Sequence, residues 1–141
     1  MNTFIFQSVK DHFDLRQDLS PGKPETWYAT RYRSEMHPDD IVHFWMGGSP
    51  NIRGLYGWGR LTSEVFIKPK WDSHGVDAVC VEKYANPILA ETIEKDSLLA
   101  DMLIFRAPQA TNFLLSPAEA TKLANLIKRQ GKMAPPTTGG S

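Results

Sequence analysis

Residues 41 to 46, IVHFWM, alternate with a period of two. Val42, Phe44 and Met46 make one wholly apolar face, and Ile41, His43 and Trp45 make a mixed one. The pattern predicts a strand whose apolar face lies in a core. A turn, GGSPN, follows, and residues 52 to 63, IRGLYGWGRLTS, predict its hairpin partner. Short runs rich in branched and aromatic residues predict further strands at 3 to 9 (TFIFQSV), 76 to 84 (VDAVCVEKY) and 102 to 106 (MLIFR).

Helical spacing takes over elsewhere. ETWYATRYR, residues 25 to 33, predicts a short helix that pairs Trp27 with Arg31 and Tyr28 with Tyr32, ended by MHPDD. NPILAETIEKDSLLAD, residues 86 to 101, predicts a helix with Pro87 in its first turn and a second start at Asp96 or Ser97. The strongest helix signal is the last: Ser116 as cap, Pro117 in the first position, Glu119 closing a capping box, and a stop at Gly131. Its Ala120, Leu123, Ala124 and Ile127 share a face that should pack on the sheet. Strands interrupted by helices without regular alternation favour an α+β domain with a small, strongly curved sheet. Residues 1 to 131 form that domain, and the tail 132 to 141, KMAPPTTGGS, is expected to be disordered or a linker.

Gly57 and Gly59 stand inside the second hairpin strand, where glycine weakens packing. They mark either a barrel corner or a close approach by a ligand. Strict alternation would set Leu55, Gly57, Gly59 and Leu61 on one face and Tyr56, Trp58, Arg60 and Thr62 on the other.

Charge narrows the function classes. Lysines plus arginines equal aspartates plus glutamates at 16 each, so no global field gathers a polyanion and any nucleic-acid contact must be local. Cys80 is the only cysteine, which excludes an intrachain disulfide and a thiolate zinc cluster. The amino terminus lacks the basic and apolar regions of a signal peptide, so a cytoplasmic address is expected.

Trp27, Trp45, Trp58 and Trp71, with Tyr28, Tyr32 and Tyr56, crowd one segment. Trp45 and Trp58 fall on mixed faces beside His43 and Arg60, as walls of a partly open pocket would. Flat walls suit a flat guest such as a stacked or flipped nucleobase, or a methylated cation. In FRAPQATNFLLSPAEA, residues 105 to 120, Gln109, Thr111 and Asn112 offer amide and hydroxyl groups able to read a base edge. Arg31, Arg53, Arg60 and Arg106 are candidate phosphate contacts.

The tryptophan of the early segment, then HPDDIVHFWMGG, IRGLYGWGRL and FRAPQATNFLLSPAEATKL, resemble in order the EVE family of PUA-like domains, relatives of YTH and ASCH domains. The resemblance spans roughly residues 3 to 130 and sets Asp40 at the family's aspartate. It implies a PUA-like small curved β-barrel of five to six strands flanked by helices, with a pocket for a modified base in DNA or RNA and no cofactor. It implies base contacts by Trp27, Trp45, Trp58, Gln7, Ser8, Thr111 and Asn112. Relatives are often joined to a nuclease or NTPase, to which the tail would be the linker. The GxKxxxxR arrangement of ASCH domains is missing here, which removes support for a hydrolytic role of that kind.

Two other classes stay open. A small hydrolase would use His74 with Asp72 and Cys80, or His43 with Asp39, although no nucleophile motif accompanies either set. A protein-interaction module would present the aromatic face to a peptide or methylated side chain, but the acidic residues that a cation needs lie scattered along the sequence away from the tryptophans.

Overall fold

The hairpin is the middle of the sheet. In a computed structural model that describes residues 1–137, Ile41–Met46 forms β3 and Gly54–Leu61 forms β4, paired antiparallel with a bulge between Phe44 and Trp45. Thr3–Ser8, β1, lies parallel to β3 on its outer side. Pro24–Tyr28 is β2, Phe66–Lys68 is β5, Ser73–Leu89 is β6 and Asn112–Leu114 is β7. The sheet runs β2-β6-β4-β3-β1-β7, with β5 also on β6. Its seven strands exceed the five or six expected because β5 and β7, three residues each, are too short to show in the hydrophobic pattern. The sheet curls into a half-barrel with few helices, the α+β class expected from sequence.

Gly57 and Gly59 are barrel-corner residues. A Cβ at Gly57 would overlap the carbonyl oxygen of Glu82, and one at Gly59 that of Val79. Bulges between Leu55 and Gly57 and between Trp58 and Gly59 let β6 cross this close, and they bend the sheet. The space at the glycines is filled by the protein's own backbone, so the ligand reading of these positions is set aside. The bulges also break strict alternation: Leu55 and Trp58 share one core, Tyr56 and Leu61 the other.

Both faces of the sheet are buried. Phe4, Phe6, Trp27, Val42, Phe44 and Met46 fill the barrel interior. Ile5, Ile41, Trp45 and Trp58 lie on the other side, in one cluster with the apolar residues of the last helix, Pro117–Arg129. Ser116 accepts from Glu119 N and Glu119 returns the bond to Ser116 N, the box expected from sequence. Leu123, Ala124 and Ile127 are buried by its apolar face.

Three local expectations change. Residues 25 to 33 do not form a helix: Thr26, Trp27 and Tyr28 are strand formers, and a ladder to Gly75, Val76 and Asp77 overrides their weak helical spacing. MLIFR is not a strand, since Leu103–Arg106 makes one helical turn and β7 arises six residues later from the polar phrase. A short apolar run does not distinguish the two by itself. Pro87 closes β6 instead of opening a helix, leaving a single turn at Ala90–Ile93, while Asp96 does cap the next turn through Leu98 N and Leu99 N. The start of the expected tail is ordered against the domain: Pro135 is buried, Ala134 packs on the core and the Lys132 ammonium lies 5.4 Å from the Tyr84 ring centroid. Residues 138–141 of that tail lie outside the described residues.

Candidate functional site

The strand order leaves β2 and β7 as the two ends of the sheet. One buried side chain ties them. Asn112, fully buried at the start of β7, donates from Nδ2 to Tyr28 O at 2.9 Å and accepts at Oδ1 from Thr30 N at 2.9 Å. Asn112 is therefore a seam clamp and does not face a guest, which corrects its expected role at a base edge.

Beside this clamp the seam opens into a cleft of about 570 Å³. That volume is typical of small-ligand sites. Its walls come from the end of β1, the turn after it, β2, Trp71 and the segment 108–111 before β7. Gln7 holds that last segment: its side-chain amide donates to Pro108 O at 2.6 Å and Ala110 O at 2.7 Å, while its backbone N–H donates to Thr111 O at 2.8 Å. Ser8 fixes the opposite lip by donating to Phe13 O at 2.6 Å. Both line the cleft, yet their donors are already engaged, so they shape it more than they read a guest.

Trp27 reaches the cleft with 7% of its surface exposed. Phe44 stacks on it at 5.4 Å, and Phe13 meets it edge-on at 5.6 Å. It offers an edge at the floor and not a free stacking face. Trp45 and Trp58, expected as further walls, are not at the cleft: they are 0% and 4% exposed in the core cluster that includes the last helix. The physical reason is that the 90–106 segment, with Phe105 edge-on to Trp45 at 5.7 Å, and the last helix together cover the face of β3 that looked half-open in sequence. Arg53 and Arg60 follow them away from the cleft. The Arg53 guanidinium sits over Trp45 and Phe105, 5.7 and 5.2 Å from their centroids, and Arg60 donates to Asp39 O at 3.0 Å. These intramolecular contacts replace their expected phosphate role. Arg31 and Arg106 are exposed; Arg31 is at the seam, its backbone N–H donating to Asn112 Oδ1 at 3.4 Å and its guanidinium lying over the Tyr32 ring.

Polar groups of the cleft without a hydrogen-bond partner include the Thr111 hydroxyl, the Gln109 amide, the His12 imidazole and the Tyr28 hydroxyl, and the Glu25 carboxylate is held only by an ion pair with the exposed Lys23 at 3.2 Å. Glu25 stands two residues before Trp27 on the same strand face, so one acidic group does accompany the aromatic cluster. Val9 and Phe13 add apolar surface, and Tyr28 and Trp71 stack on each other at 4.3 Å along the outer lip. Val9, Phe13, Glu25 and Trp71 were not singled out from sequence as base contacts. The signal for Trp71 was its setting, FIKPKW, an aromatic ring among lysines with no core periodicity.

The hydrolase sets do not assemble. His74 is held by Arg33 at 2.6 Å from Nδ1, and burial pushes the Cys80 thiol up to about 11, which disfavours a thiolate. His43 is buried with neither ring nitrogen hydrogen-bonded, so no carboxylate orients it. Asp40 accepts from Asn2 N and His37 N, both at 2.9 Å, and locks the turn before β3. Among the described residues no group of three or more His, Cys, Asp or Glu side chains stands together as a metal site would require, and no helix is long and apolar enough to cross a membrane.

No family model and no curated protein matches the sequence. Solved structures do match its fold. A protein from Agrobacterium tumefaciens superposes with a TM-score of 0.77 at 13% identity, covering 98% of this chain and 99% of that one. The DUF55 domain of human thymocyte nuclear protein 1 gives 0.67 at 14% identity, covering 88% and 97%. Human THYN1 in complex with DNA containing 5-methylcytosine gives 0.68 at 14% identity, covering 89% and 97%. The chain shares the PUA-like α+β fold of these structures.

Proposed function

We propose that this EVE/PUA-like domain is a binding module that reads a modified nucleobase in DNA or RNA. The observation that carries the reading is the seam cleft of about 570 Å³, which combines apolar walls with uncommitted hydrogen-bonding groups. The complex of a neighbour of the same fold with 5-methylcytosine DNA supports it. A base turned out of its strand enters beside Phe13 and Val9, above the edge of Trp27. Thr111 and Gln109 donate to or accept from its edge, and Glu25 accepts from an exocyclic amine. A methyl group on the base meets the apolar wall, a contact worth about 0.8 kcal/mol. Arg31 and Arg106 hold the adjoining phosphates, and a fused or associated nuclease or NTPase would act on the captured strand.

Titration of single-stranded oligonucleotides, with and without 5-methylcytosine, should quench tryptophan fluorescence with tighter binding of the modified strand. Thr111→Val or Glu25→Gln should weaken that binding about 10-fold, as loss of a hydrogen bond to a buried or charged group does. Equal affinity for modified and unmodified strands would contradict the reading. Glu25 beside Trp27 favours one competing guest, a methylated lysine in a peptide. A trimethyl-lysine peptide that saturates the same quench while the oligonucleotides do not would establish that alternative.

A further inference from the structure

Successive side chains of a strand point to opposite faces, so Trp27 and Tyr28 of β2 look in different directions. Trp27 turns inward to Phe6 and Phe44, and Tyr28 turns outward to Trp71, yet both border the cleft. The cleft therefore wraps the edge of β2 and has an inner arm and an outer arm. The inner arm is where the proposed base sits.

The outer arm has a different construction. Tyr28 and Trp71 stack with ring centroids 4.3 Å apart and planes 27° from parallel. The Lys68 ammonium also lies 5.1 Å from the centroid of the indole that stacks on Tyr28. Cation, indole and phenol form one cluster, in which Tyr28 is 44% exposed. Neither Tyr28 nor Trp71 belongs to a core cluster, so burial in the interior does not account for two large rings here. Lys70 is exposed next to Trp71, and Arg33 lies nearby through its bond to His74. An aromatic platform bordered by cations matches a nucleotide in both its base and its phosphate.

We propose that this cluster is a second nucleotide subsite: the base next to the inserted one stacks on the exposed ring of Tyr28, with its phosphates near Lys68 and Lys70. This inference rests on the base-reading assignment of the inner arm. It makes the preferred ligand a single strand, or a duplex opened beside the modified base, because a base paired within a helix cannot lie on the platform.

The test compares 5-methyldeoxycytidine monophosphate with a single-stranded trinucleotide carrying 5-methylcytosine at its centre, both by calorimetric titration. The trinucleotide should bind on the order of 10-fold more tightly, in the range of a single base–aromatic stack. Trp71→Ala and Tyr28→Ala, each checked for unchanged melting, should bring that ratio close to one. Thr111→Val should lower both affinities and leave the ratio. Lys68→Gln with Lys70→Gln should flatten the salt dependence of trinucleotide binding, by about 0.7 in log–log slope for each phosphate that the lysines no longer neutralise. If the ratio survives in both aromatic variants, the subsite is overturned while the reading of the inner arm stands. If neither ligand binds, the inner-arm reading falls and the subsite falls with it.

Discussion

Gly59→Ala should destabilise the domain by about 3 kcal/mol, seen as a lowered urea midpoint. The added methyl group would meet the carbonyl oxygen of Val79, and it would come within 3.0 Å of the Cys80 Cα. Both are backbone atoms, so no rotamer change relieves the contact and β6 has to move off β4. That movement undoes the bend that curls the sheet, and it loosens the path that brings β2 to β7. Gly59→Ala should therefore also weaken any ligand of the seam cleft, although Gly59 does not line it. A midpoint within error of the parent protein would mean that the bulge has slack and does not set the curvature.

Acid should act through His43. Burial without a hydrogen-bond partner lowers its pKa to about 3, against about 6.5 in the unfolded chain. Because the folded value is the lower, the unfolded state takes up the proton first as pH falls below 6.5. Stability from the neutral ring is thus fully present above pH 6.5 and is lost progressively down to about pH 3, in total about 5 kcal/mol. Asp14, held below the usual carboxylate range by its side-chain bond with Arg16, and Asp96, held down by Leu99 N, lose their contributions only below their ordinary values near 3.8. The window from pH 6.5 to 4 therefore belongs largely to the histidine. His43→Leu, which keeps an apolar side chain of similar bulk in the site, should flatten the urea stability profile across that window. A parent profile already flat from pH 6.5 to 4 would show that the ring is solvated or paired.

Much of the frame was legible because its signals are local. The capping box at Ser116 and Glu119, the hairpin of β3 and β4, and the apolar set Val42, Phe44 and Met46 follow from spacing alone. What failed depended on contacts distant in sequence. β2 is a strand because β6 lies beside it, and its own letters carry helical spacing equally well. β7 is three residues long and exists by pairing with β1.

The candidate site divides along the same line. Trp27, Gln7, Ser8 and Thr111 do border one cleft, brought together by a closure between strands at opposite ends of the sheet. Trp45 and Trp58 do not, because a mixed face reads as half-open only when nothing covers it. All six residues of β3 are buried, and a nearly continuous apolar run such as IVHFWM is the sequence mark of a strand covered on both sides. Trp71 was the least legible contributor: it lies outside every regular strand or α-helix, and only the fold sets it against Tyr28.

The four tryptophans make the central claim measurable in one spectrum, since each indole N–H gives its own proton–nitrogen signal. Addition of the trinucleotide carrying 5-methylcytosine should shift the signals of Trp27 and Trp71 and leave those of Trp45 and Trp58 in place. Movement of Trp45 and Trp58 with Trp27 and Trp71 unchanged would move the site to the far side of the sheet and contradict the account.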